Sequence, residues 1–333
     1  ALVVFFLAGR SLHRLLGRIS EAPSEARLAA KLSLWFLAIV VAVALIDGGI
    51  SRLWRPFVLL KDTDYIGGVE HVRAPREFLR HYAARLPELP DHCRTHPPGP
   101  ILFLWTVKRV FAGGPAGAAL ATILFAALSV PAVLLLAGEL LDRRRAVLAT
   151  FLFLAAPSIV LFTATCMDAV FLVFFAWTFT LLWLGRRRRP WLFGALGGIA
   201  ASLATFFTFS AAVLALWAVI VWTATFFFDR KNLNSTTATL AAAALVSLGF
   251  YAALAAFCGY HLFDVLRAAV AEHHAIMSGG GHETLRQSLH LAVANLVAFG
   301  FGCGAGLVAL TLVGGGRTPR GPSGGGEDSA AGA

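Results

Sequence analysis

The chain has 333 residues, of which 58% are hydrophobic and only 14% charged, and its mean hydropathy is +0.75. Soluble domains carry about 25% charged residues, so this composition excludes an ordinary water-soluble globule and requires a bilayer as solvent. The net charge of +10 does not imply a nucleic-acid partner: the arginines sit in short clusters between apolar runs, as in the topogenic loops of membrane proteins, not along one basic face.

In chain order, residues 1–9 are apolar and read as a truncated helix from a longer protein, and 1–32 as that helix plus a basic cytoplasmic segment with Arg10, Arg14, Arg18, Arg27 and Lys31. A membrane helix needs about 20 mostly apolar residues. Eight stretches meet or approach that length: 33–49, 116–137, 146–164, 167–185, 191–208, 210–228, 237–258 and 289–313. The membrane domain is therefore expected over 33–313, with a disordered polar tail at 314–333. Gly194, Gly197 and Gly198, and again Gly300, Gly302, Gly304 and Gly306, read as close helix contacts. Trp54, Trp105 and Trp191 fall near predicted span ends, where interfacial anchors sit.

Eight spans put every basic cluster on one side: the segment before the first span, Arg143 to Arg145, Arg186 to Arg189, Arg230 with Lys231, and Arg317 with Arg320. The positive-inside rule makes that side the cytoplasm. Two long segments, 50–115 and 259–288, then lie outside with eight of the ten histidines, and His290 falls just inside a span on the same side. Asn234-Ser235-Thr236 has the form of a glycosylation sequon, but it falls on the cytoplasmic side and carries no meaning there. Cys93, Cys166, Cys258 and Cys303 are scattered without metal or redox spacing and read as small apolar fillers.

Four stretches could carry chemistry. Lys61-Asp62-Thr63-Asp64-Tyr65 places two carboxylates two residues apart, suited to a general base or to oxygen ligation of a divalent cation; a solvated acidic turn is the plain alternative. Thr95-His96-Pro97-Pro98-Gly99-Pro100 presents His96 on a rigid extended corner, or simply breaks a helix. The helix that follows, 101–112, and the segment Arg76-Glu77-Phe78-Leu79-Arg80-His81-Tyr82 before it read as interfacial helices. Asp168 starts the fourth span at its outer mouth, where a carboxylate faces water, a partner or a cavity, or caps the helix. The segment 259–288 holds His261, Arg267, Glu272, His273, His274, His282, Glu283 and Arg286, a wet polar loop or a cradle for a lipid-linked phosphate. Adjacent rings such as His273 and His274 diverge on a helix, which counts against a metal site.

Taken in order, an outer acidic pair after the first span, a His-Pro-Pro-Gly corner between interfacial helices, and a Pro157-Ser158 … Met167-Asp168 hairpin resemble the GT-C glycosyltransferases. The similarity is to the branch with protein O-mannosyltransferases, aminoarabinose transferases and bacterial RgtA/B/C/D-like enzymes, and spans about 33–300. The resemblance implies an all-α, polytopic GT-C-like helix bundle in a bacterial cytoplasmic membrane, with its active site facing outside. It implies inverting transfer of a sugar from a polyprenyl-phosphate donor to a lipid, glycan or protein acceptor. In that reading Asp64 or Asp62 is the catalytic base, Asp168 assists the acceptor, and His96 meets the donor phosphate with Arg73, Arg76 or Arg94. Tyr65, His273 and His274 stand on the acceptor or loop side. A divalent cation, Mg or Mn, would use Asp64 and Asp168; its requirement is left open. Two other readings stand beside this one: a transporter or flippase, which calls for mid-span charges, broken helices or internal repeats, and a non-catalytic protein keeping the same fold.

Overall fold

The computed structural model describes residues 2–17, 24–46, 48–111, 113–163 and 166–278, with 293, 294, 297 and 298. The expected eighth span at 289–313, its glycines, Cys303, the basic pair Arg317 and Arg320, and the tail at 314–333 lie outside the described residues, those four positions apart. The described chain is helical, with no strand among its residues.

Helix α1, Leu2–Gly17, is longer than the apolar run alone suggests and packs on α2, Glu25–Ala44. The two run antiparallel: Ala8 meets Ile39, Leu15 packs with Leu28 and Leu32, and Trp35 Nε1 donates to Ser11 Oγ at 3.2 Å. Residues 10–17 thus continue the first helix beyond the apolar run 1–9. Arg10, His13 and Arg14 lie on the exposed face of this helix, where long side chains can extend toward an interface. The helix α2 also begins at Glu25, eight residues before the apolar run, because Arg27 and Lys31 are good helix formers.

A chain of short helices follows: α3 (Arg55–Leu59), α4 (Tyr65–Gly68), α5 (Pro75–Arg80), α6 (Tyr82–Arg85), α7 (Asp91–Arg94) and the longer α8 (Gly99–Phe111). The interfacial helix expected from Arg76 to Tyr82 is thus two pieces broken at His81, and the one expected at 101–112 is α8.

The bundle itself comprises α9 (Pro115–Ala126), α10 (Ser129–Leu140), α11 (Arg143–Ala155), α12 (Pro157–Phe162), α13 (Asp168–Arg187), α14 (Pro190–Phe207), α15 (Ala212–Phe228) and α16 (Leu233–Cys258). Six stretches are long and apolar enough to cross a membrane: 25–44, 115–140, 168–187, 190–207, 209–228 and 230–258. The expected span 146–164 is the exception, since Pro157 splits it into α11 and α12 with Ala156 extended at φ −62°, ψ 129°. Proline lacks the donor a continuous helix needs and disfavours helical geometry in the residue before it. The stretch 115–140 has a milder break, a turn at Ala127 and Leu128 in which both residues keep helical geometry, shortly before Pro131. The polar groups at that break find partners: Ser129 Oγ donates to Ala126 O at 2.7 Å, Trp177 Nε1 to Leu128 O at 3.0 Å and Thr180 Oγ1 to Ala132 O at 2.9 Å. Broken backbone at membrane depth survives only where such partners exist.

Helices α13, α14 and α16 form the tightest packing. A Cβ on Gly194 would lie 2.4 Å from Thr239 O, and one on Gly198 2.5 Å from Ala243 O, so the glycines of α14 let two backbones touch. Large apolar side chains such as Val219 and Phe228 instead cover the outside of α15, as lipid-facing residues do.

The junctions between helices sort to two ends. At one, Arg143 pairs with Glu25 at 3.4 Å, Arg188 with Glu139, and Arg186 with Asp229 at 3.2 Å. Three of the five expected basic clusters therefore meet at a single end. The sequon residues belong to it too: Ser235 Oγ donates to Arg186 O at 2.8 Å and Thr236 Oγ1 accepts from Arg186 Nε at 3.2 Å. The alternate junctions, with α3 to α8 packed on them, make the opposite end. Helix α17, Leu262–Ser278, lies over α6 and α7 there, so the first part of the expected wet loop 259–288 is a helix with Val265 and Ala269 buried.

Candidate functional site at the end opposite the arginines

Asp64 stands where an extended residue turns into α4. Its φ of −114° and ψ of 172° make it the N-cap, and Oδ1 accepts from Tyr65 N at 2.7 Å. Aspartate is common at this position, although a capping side chain ordinarily reaches the second or third N–H of the helix and here it meets the first; the carboxylate also faces His92, whose Nδ1 lies 3.5 Å from Oδ1, and the Asp64 side chain is only 13% exposed. The neighbouring strand of chain is tied down as well, since His92 N donates to Thr63 O at 3.0 Å. Asp62, two residues earlier, is exposed on the turn. The acidic pair is therefore split: Asp64 enters the site and Asp62 does not. Glycine follows for a steric reason, because a Cβ on Gly67 would sit 2.0 Å from Lys61 O.

Tyr65 is buried at the centre of an aromatic cluster. Its ring lies 5.6 Å from that of His96, edge to face, 6.0 Å from that of His92 and 6.3 Å from that of Phe171. Burial holds the Tyr65 hydroxyl far above the usual phenol range, and the negative fields of Asp168 and Asp64 push it the same way. Tyr65 thus stays a neutral phenol and is not an acid.

His96 sits on the corner the prolines build. Pro97 and Pro98 are buried, and Gly99 is needed because a Cβ there would lie 2.4 Å from Phe206 O at the end of α14. From below, Tyr82 hydroxyl donates toward Cys93 O at 3.1 Å and His96 O at 2.9 Å. Nδ1 of His96 lies 2.9 Å from His92 O and 3.1 Å from Thr95 Oγ1. A carbonyl only accepts, so Nδ1 carries the proton and Nε2 the lone pair. Burial lowers the His96 pKa below its ordinary 6.5, against the opposing pull of the His92 carbonyl and of Asp168 and Asp64. A neutral imidazole with a free Nε2 is suited to accept a proton or hydrogen bond.

Asp168 is the first residue of α13 and exposed, with Met167 as the cap, so the carboxylate lies in the first turn without capping it. The helix dipole favours a negative charge there. Cys166 Sγ donates to Asp168 Oδ2 at 2.9 Å. Burial and Asp168 together push the Cys166 thiol up to about 12, so it is a donor and not a thiolate. The fields of both Asp64 and Asp168 act on Tyr65, His96 and Cys166. Segments more than 100 positions apart in the sequence thus converge on one patch that holds two carboxylates, a neutral histidine, a thiol and a phenol.

The candidate cations do not gather there. Arg94 donates through Nε to Glu272 Oε2 at 2.8 Å, with its NH2 on the same oxygen, and reaches Asp91 at 3.6 Å, so it ties α7 to α17 and is not a free phosphate ligand. Arg73 and Arg76 are exposed on the segment before α5 and in its first turn, as are His273 and His274 on α17, whose rings are 6.1 Å apart at 64° to each other. The bonding of Tyr82 and the contacts of His92 and Cys166 were not read from the sequence. The spacing of four between His92 and His96 was an available signal, because one helical turn carries the backbone carbonyl of one to the ring of the other. No group of three or more His, Cys, Asp or Glu among the described residues is placed to hold a metal ion. Asp64 meets Tyr65 N and His92, and Asp168 meets Cys166.

A scan against protein-family models, a search of curated proteins and a search of solved structures each find no match to this chain.

Proposed function

We propose that the chain is a membrane-embedded glycosyltransferase that takes a sugar from a polyprenyl-phosphate donor at the face opposite the arginine clusters, which the positive-inside rule makes the outer face. The observation that carries this reading is the convergence of Asp64, His96 and Asp168 on one water-facing patch at the end of the bundle. In this reading Asp64, fixed by Tyr65 N, removes the proton of the acceptor hydroxyl as it attacks the anomeric carbon. His96 accepts a hydrogen bond through Nε2 from a neighbouring hydroxyl of the acceptor and so orients it, and Asp168 with Cys166 holds a further one. The bond to the lipid phosphate breaks, and the phosphate leaves on its lipid. A base of this kind contributes typically 10²- to 10⁴-fold. A groove of about 650 Å³ between α16 and α17 would take the lipid chain; Tyr251, Tyr260, His261 and Asp264 are among its lining residues. The buried Tyr260 hydroxyl has no partner among the described residues, which gives the groove one polar contact to offer.

The test is direct. Purified protein supplied with polyprenyl-phosphate sugars and candidate acceptors should release polyprenyl phosphate. Asp64→Asn should abolish the release, and the exposed Asp62→Asn should leave most of it. Equal loss in both variants, or intact donors with the wild type, would overturn the assignment. The helix breaks at Leu128 and Pro157 favour the second reading, a transporter, but the side chains bonded at the first are all uncharged. Transport would show as substrate flux in proteoliposomes without donor cleavage.

A further inference from the structure

On the far side of α4 from the Asp64 cluster is a cavity of about 250 Å³ that the transfer reaction does not use. Phe57, Ile66 and Leu104 are among its apolar lining, and Lys61, Lys108 and Glu70 are its charged lining residues. Lys61 Nζ lies 2.8 Å from Glu70 Oε1, and this ion pair with the added field of Lys108 holds the Glu70 carboxyl below its usual range. Lys108 is exposed and makes no ion pair among the described residues. Two cations therefore face one anion, and an exposed ion pair of this kind opens readily to a competing anion. The amino end of α9, at Pro115, closes another side and adds its dipole to the same sign.

The surroundings say what kind of anion fits. Val58 and Leu59 on one flank are 52% and 66% exposed, and Val110 and Phe111 on the other are 66% and 70% exposed. Such a run of bare apolar side chains beside a basic cavity is unfavourable in water and suits acyl chains. A free phosphate would satisfy the lysines and leave that surface wet; a lipid satisfies both.

The geometry points to a binding site for the phosphate headgroup of an anionic membrane lipid at Lys61 and Lys108, separate from the Asp64 patch. The phosphate displaces Glu70 from Lys61 and bridges the two ammonium groups, and the chains lie along Val58, Leu59, Val110 and Phe111. Because Lys61 is three residues before Asp64 in the same loop, occupancy would also steady the loop that presents Asp64. The site needs a bilayer but not sugar transfer, so it stands or falls apart from the function proposed above.

The experiment uses the full chain in phosphatidylcholine nanodiscs, titrated with fluorescent phosphatidic acid, with inorganic phosphate as a competing arm. Saturable binding of phosphatidic acid is expected. It should weaken about tenfold or more in Lys61→Ala/Lys108→Ala, since each lysine near a membrane surface contributes a severalfold factor. Glu70→Gln should tighten binding about threefold by freeing Lys61, a gain that misfolding cannot imitate. Arg267→Ala, a charge removed from exposed α17, should change it less than twofold. Unchanged affinity in the double lysine variant, or a loss equal to that in Arg267→Ala, overturns the site. Displacement by inorganic phosphate at concentrations matching the lipid's overturns the lipid as its occupant.

Discussion

Replacing Tyr82 by phenylalanine removes one oxygen and little else, because the ring is fully buried and packs edge to face on Phe78 at 5.2 Å. That oxygen is what holds the His96 corner: its hydrogen is aimed at Cys93 O and His96 O, 3.1 and 2.9 Å away. Losing the bond costs about 1 kcal/mol, and leaving carbonyls dry adds about 1 kcal/mol more. A total of about 2 kcal/mol is roughly a 30-fold increase in local opening. Hydrogen–deuterium exchange of purified protein should show that acceleration in the peptide spanning residues 91–99, with α13 and α14 unchanged. His96 should also titrate closer to its ordinary 6.5, because an opened corner admits water. Exchange within twofold of wild type, or acceleration spread evenly through the bundle, would refute the claim that Tyr82 positions this histidine.

Other outcomes follow from the same contacts. Since burial lowers the His96 pKa below 6.5, the unfolded chain binds the proton first; this residue's contribution to stability is complete above about pH 6.5 and declines as pH falls toward the lowered value. Unfolding midpoints measured from pH 8 to pH 5 should show that decline, and His96→Gln should flatten it. Gly198→Ala should destabilise by about 1–3 kcal/mol, because its Cβ would lie 2.5 Å from Ala243 O. Gly249→Ala, with nothing within 4 Å of the new methyl, should stabilise by up to about 1 kcal/mol. Thermal unfolding of the pair in detergent tests that contrast, and equal shifts would contradict the packing. Arg94 and Glu272, at 24% and 16% side-chain exposure, should show a coupling of about 1 kcal/mol or more in a double-mutant cycle on stability; a coupling near zero would mean the tie is ornamental.

The features legible in the sequence are those set by local composition. Long apolar runs marked the membrane helices, and the glycines of α14 marked a close contact, since both signals depend only on neighbours along the chain. Two boundaries failed where a local rule competed with another. Pro157 sits inside an apolar run whose hydropathy hides the break, and α1 continues through Arg10 and Arg14 because arginine favours helix as well as water. In the candidate site, the corner at His96 could be read from its prolines, Asp168 from its place at the start of a span, and Asp64 only as one of an acidic pair. Which of Asp62 and Asp64 turns inward could not, because it depends on the turn closed by Leu60 O and on the approach of His92. The engagement of Arg94 was equally hidden, as Glu272 lies 178 positions later.

That separation has a consequence in time. Chains are made at about 5–20 residues per second, so roughly 9–36 seconds pass between the synthesis of Arg94 and that of Glu272. Throughout that interval the segment 50–115 must hold His96 and Asp64 without its strap from α17. A ribosome stalled before Glu272 would carry that segment already made but the candidate site still unfastened.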